Sequence, residues 1–161
     1  MITAVLAALL GAAGAQVGSS GLRLAGSETR SMLFTDCYEL KVFDADGRLT
    51  EAELTDTGQP LSIEVTVLYD GDLPDMPEGW TDEIVPVLTD GKMQALRAAY
   101  GRLAEGDVIR LDYAPGETSV ISVNGEAVLS DPGFALTGAM LDVWFGETPV
   151  DEDVKEAFLG S

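Results

Sequence analysis

Residues 106–146 read GDVIRLDYAPGETSVISVNGEAVLSDPGFALTGAMLDVWFG, and this stretch decides the fold. Ile109, Leu111 and Tyr113 alternate with Val108, Arg110 and Asp112, the period-two pattern of a strand with one buried face. Ala114-Pro115-Gly116-Glu117 is turn chemistry, because proline presets φ and glycine tolerates positive φ. Thr118 to Val123 is rich in β-branched residues, which suit a pleated surface. Asn124-Gly125 then accepts the left-handed conformations of a type I′ hairpin turn, and Glu126 to Leu129 returns as a short strand. Three consecutive antiparallel strands are predicted.

A helix follows. Asp131 is placed to cap it and Pro132 suits its first turn. Phe134, Leu136, Met140, Leu141, Val143, Trp144 and Phe145 lie all round it, and a helix apolar on every side belongs in a core. Gly146 ends it, and Asp151 to Leu159 makes a short last helix.

Upstream, Leu61 to Tyr69 alternates as a strand, and 70–79 is an acidic loop with proline and glycine. Trp80 to Leu88 reads as a short helix capped by Thr81 or Asp82 and limited by Pro86. Thr89 caps a longer one reaching Ala104, with Met93, Leu96, Tyr100 and Leu103 on one stripe. From Gly26 to Phe43 the chain reads as one long strand, bulged near Asp36. Asp44, Asp46, Gly47 and Glu53 imitate a calcium loop. With Gly47 at the turn position, however, the first ligand position falls on Val42, which has no side-chain oxygen. A solvated acidic turn is the expectation, with no metal and no cofactor.

The 161 residues fit one domain, and 46% hydrophobic content is enough for a core. A formal charge of −19 repels nucleic-acid phosphates and anionic lipid headgroups, so no nucleic-acid partner is expected. The same acidity fits a saline habitat or plain solubility equally well. There is no histidine, which removes Ser-His-Asp and Cys-His catalysis and His-based zinc sites. Cys37 is the only cysteine, so no internal disulfide forms, and it reads as a small core residue.

Residues 1–15, MITAVLAALLGAAGA, resemble a signal-peptide core with an Ala-x-Ala end before Gln16, although the basic start is missing. The alternative is a buried N-terminal element. Export to the periplasm or beyond is the expectation, with 16–25 as a linker or the start of an opening hairpin, the folded domain over 26–161 and no membrane span in the mature chain. The oligomeric state is open.

Three segments together resemble a known family. They are the 101–116 run GRLAEGDVIRLDYAPG, the VNG turn, and the ending VWFGETPVDEDVKEAFLG over 143–160. Gly26, Arg30, Phe34 and Tyr38 add a glycine, an arginine, an aromatic and a tyrosine eight positions after the arginine. From about Gly26 to Gly160 the chain resembles the bacterial chalcone isomerase-like domain. With the strand and helix pattern, this gives an α+β fold: a curved antiparallel sheet with helices on one face, an open-faced sandwich.

Arg30 is the leading functional candidate. A guanidinium in an apolar-flanked strand must find an anion or bear a desolvation cost. An ion pair with Glu28 or Asp36 is the alternative. Tyr38 can add a hydroxyl donor, and Thr35 lies between them; sheet packing is the alternative for both. Trp80, Trp144, Met93 and Met140 either line a cavity or fill the core.

The resemblance implies that relatives binding fatty acids hold a carboxylate with an arginine and a tyrosine. It also implies that true isomerases close a chalcone to a flavanone. Those enzymes draw an arginine and a threonine from the first strand, and a tyrosine, a lysine and an asparagine from mid-chain. Here the middle strand offers Tyr69, and no lysine or asparagine lies from Asp56 to Gly91. A non-catalytic domain binding a small hydrophobic carboxylate or phenolic ligand is expected, with an isomerase and a ligand-free interaction module as rivals.

Overall fold

The computed structural model describes residues 21–160. Six strands form one antiparallel sheet in sequence order: β1 (Arg23–Met32), β2 (Thr35–Asp44), β3 (Leu61–Val67), β4 (Val108–Tyr113), β5 (Thr118–Val123) and β6 (Glu126–Pro132). Among the described residues four α-helices accompany it: α1 (Glu78–Ile84), α2 (Asp90–Tyr100), α3 (Ala135–Phe145) and α4 (Glu152–Leu159). This is the α+β open sheet that the alternation and the helix pattern predict.

The register shows why one face is buried. Gly26, Val42, Ile63, Leu111, Ile121 and Leu129 are successive cross-strand partners, one from each strand. The five large side chains of this row are all buried. Each fully buried aliphatic contributes about 1.5–3 kcal/mol. α3 lies against β4, β5 and β6, with Leu136, Met140, Leu141 and Trp144 almost wholly out of water. α4 covers β1, and its Phe158 fills the space a Cβ at Gly26 would need, 2.5 Å away. On the other face Lys41, Glu64, Arg110 and Ser122 form a matching polar row. Arg110 bridges Glu64 at 2.7 Å and Asp112 at 3.0 Å, with its guanidinium over the Phe43 ring.

The structure departs from the sequence expectation in several places. Gly26–Phe43 is not one bulged strand; it reverses at Leu33 and Phe34, whose φ values are +49° and +68°. Two bulky apolar residues carry no turn signal, so nothing local announces the reversal. The β1–β2 register and the pairing of β2 with β3 hold it instead. Leu33 is 92% exposed and Phe34 fully so.

β1 also starts at Arg23, inside the segment read as a linker or an opening hairpin, so the hairpin alternative describes it from there on. Finally, Asp131 and Pro132 do not open α3. β6 runs on through them, paired to Ser119 and Thr118, and Asp131 meets Lys92 at 2.8 Å. The Asn124-Gly125 turn has both φ values positive, 51° and 85°, as type I′ requires. Thr89 caps α2 by accepting from the Lys92 N–H, though the helix ends at Tyr100. The leader reading of 1–15 falls outside the described residues.

Candidate ligand-binding site

A cavity of about 510 Å³ opens between one end of the sheet and the helices. Tyr38, Val65, Val67 and Ile109 form its floor. Trp80 of α1, Tyr100 of α2 and Leu103 face them, and Leu73, Pro74 and Pro77 close a side from the loop before α1. Among the described residues Arg30 is the one charged side chain in the lining.

The β1–β2 hairpin sets Arg30 directly opposite Tyr38, so both point to the helical face. One terminal nitrogen, Arg30 Nη1, donates to Val150 O at 2.6 Å and to Asp151 Oδ2 at 3.0 Å. Both side chains of this ion pair are 21% exposed. Asp151 is the N-cap of α4, and its other oxygen accepts from the N–H groups of Asp153 and Val154. The internal carboxylate is therefore neither Glu28 nor Asp36. It comes from the far end of the chain, and Asp36 instead accepts from Ser31 Oγ. Arg30 Nε and Nη2 make no hydrogen bond among the described residues, which leaves a two-nitrogen edge able to meet a second carboxylate.

Tyr38 belongs to an aromatic cluster. Its ring meets Trp80 and Trp144 edge-on at 6.1 and 6.3 Å, and Trp80 meets Trp144 at 5.3 Å and Tyr100 at 6.0 Å. Trp144 Nε1 donates to the Tyr38 hydroxyl at 2.8 Å. Burial pushes the phenol up to about 12, although the Trp144 bond and the Arg30 charge both pull the other way. At neutral pH the group is an un-ionised donor, and no described acceptor takes its proton.

Of the sequence candidates, Arg30 and Tyr38 meet at the cavity. Thr35 does not: it is exposed at the start of β2 and outside the lining. Trp80 lines the cavity, Trp144 stands behind Tyr38, and Met93 and Met140 are buried core. Cys37 and Tyr69 also line it, with Tyr69 held by its backbone N–H on Cys37 O. Sequence reasoning missed Tyr100, Val150 and Asp151. The N-cap position of Asp151 was readable, but its bond to Arg30 spans 121 residues and has no local signal.

The fold and the site together define a class: an open antiparallel sheet, roofed by helices, with a largely apolar cavity in whose lining Arg30 is the one cation among the described residues. The profile of the chalcone isomerase-like family matches residues 11–160, and the chain belongs to that family. Among solved structures, it is similar to a fatty-acid binding protein of Arabidopsis thaliana, with a TM-score of 0.59, 18% identity and 86% of each chain covered. At that identity the likeness is one of fold. No curated protein matches the chain.

Proposed function

We propose that this domain binds a small amphipathic anion, of which a fatty acid is the type, and does so without catalysis. The carrying observation is the pairing of a largely apolar cavity with one guanidinium and a neutral tyrosine opposite it in its lining. The volume falls within the 300–1,000 Å³ usual for small-molecule pockets. An alkyl chain would lie on the aromatic and aliphatic walls, its carboxylate meeting Arg30 and the Tyr38 hydroxyl. The similar Arabidopsis protein is described as fatty-acid binding, which supports the reading.

An isomerase reading has less support. Tyr69 is present in the lining, but no lysine or asparagine is, and Thr35 stands outside it. Native mass spectrometry of gently purified protein should find a bound carboxylic acid. An absorbance assay with chalcones should find no ring closure. Turnover of a chalcone would overturn the non-catalytic reading.

No helix among the described residues is long and apolar enough to cross a membrane. The apolar segment 1–15 and its small-residue end support placing the binding in the periplasm or outside the cell. Amino-terminal sequencing of the protein from its host tests this: a start at Gln16 is expected, and a start at Met1 contradicts it.

A further inference from the structure

A second site lies at the other end of β2. Asp44, Asp46 and Glu53 each bring a carboxylate oxygen to within 4.8 Å of the other two. Two oxygens that each sit 2.4 Å from one ion are at most that far apart, and 2.3–2.6 Å is the ordinary calcium–oxygen distance.

The cluster has a second, independent mark. Asp44 is only 3% exposed. Its Oδ1 accepts from the backbone N–H groups of Gly47 and Arg48, at 2.6 and 3.0 Å. Its Oδ2 is buried with no donor, and so is Glu53 Oε2. None of the three residues joins an ion pair among the described residues. Three close carboxylates, two of them with buried bare oxygens, need positive charge from somewhere.

The chain itself arranges this cluster. Gly47, with φ +78°, turns the backbone so that Asp44 and Asp46 stay side by side. Buried Leu49 anchors the loop, and the 3₁₀ turn Glu51–Thr55 returns Glu53 to the group. A hollow of about 270 Å³ adjoins it, where Asp56 and Gln59 offer further oxygens. The missing oxygen at Val42, which argues against a calcium loop in the sequence, is thus irrelevant to the arrangement formed. The ligands of an ion here would come from Asp44, Asp46 and Glu53, with Gln59, Asp56 or water able to complete the shell.

We propose that Asp44, Asp46 and Glu53 bind a divalent cation of calcium type, which ties the end of β2 to the turn that follows it. Calcium suits an all-oxygen, irregular and partly hydrated set, whereas magnesium demands a near-ideal octahedron. The competing occupant of the gap is a proton shared between Asp44 and Glu53.

The test is calorimetric titration of chelator-treated full-length protein with calcium chloride, then magnesium chloride, alongside thermal unfolding. Saturable calcium binding is expected, weaker for magnesium, with a Tm rise of about 5–10 °C at a hundredfold excess over Kd. Glu53→Gln should weaken calcium binding at least tenfold while remaining folded in chelator. The exposed neighbour Glu51→Gln should bind as the parent does, which separates a built site from general screening of an acidic surface. No saturable binding up to about 10 mM calcium, beyond the range of weak extracellular calcium modules, would overturn the proposal in favour of the shared proton. Equal calcium response in parent and Glu53→Gln would overturn it as well.

Discussion

Arg30 carries two relationships at once, and they can be separated. Nη1 is committed to Val150 O and Asp151, while Nε and Nη2 make no hydrogen bond among the described residues. Asp151 therefore competes electrostatically with any bound carboxylate. Asp151→Asn keeps an effective N-cap for α4 and removes the charge. It should tighten carboxylate binding about three- to tenfold and change stability by no more than about 1 kcal/mol, since the ion pair is partly exposed. Isothermal titration of both proteins checks this; weaker binding in the variant would show that Asp151 positions Arg30 rather than opposing the ligand.

Tyr38 makes a different prediction. Its phenol is raised to about 12 chiefly by burial, so the folded state resists its ionisation. The stability this provides is fully present below the ordinary tyrosine value near pH 10 and is lost as pH rises through 12. Thermal unfolding should fall more steeply over that window in the parent than in Tyr38→Phe. The variant should also be less stable at neutral pH by about 1–2 kcal/mol, because Trp144 Nε1 loses its acceptor. Parallel alkaline limbs for the two proteins would contradict the burial account.

The β1–β2 hairpin shows where sequence and fold part company. β4 to β6 were legible because each local signal agreed with the tertiary outcome: alternation, Pro-Gly, β-branched run, Asn-Gly. Leu33-Phe34 gives no such signal, and a single strand was the natural reading. Yet that reversal is what sets Arg30 across from Tyr38, so the site's geometry was hidden even though both residues were legible as candidates. Asp131-Pro132 misled in the opposite sense. They carry good helix-start chemistry, but the sheet register claimed them for β6.

Left-handed conformations at two bulky residues cost about 1–2 kcal/mol each. Replacing Leu33-Phe34 by Asn-Gly should recover part of this, stabilising the protein by about 1–2 kcal/mol and raising Tm by roughly 3–6 °C. Thermal unfolding decides it, and a lower Tm would mean that the exposed pair makes contacts that stabilise the turn.

In the whole molecule, the two ends of β2 carry the two proposed sites. Tyr38 and Asp44 are six positions apart, about 20 Å along a strand, so the apolar cavity and the acidic cluster are spatially distinct. The net charge of −19 makes a carboxylate an unfavourable guest everywhere except beside a cation. On the proposed function, specificity for an acid would come from Arg30, and affinity for its chain from the walls. The decisive measurement is a calorimetric titration of delipidated protein with a fatty acid and with the alcohol of equal chain length, in the parent and in Arg30→Ala. The parent should prefer the acid by about 10–100-fold, the 1.5–3 kcal/mol of a charged hydrogen bond. Arg30→Ala should bind both alike, at the parent's affinity for the alcohol. Undiminished acid binding by Arg30→Ala would contradict the account at its centre.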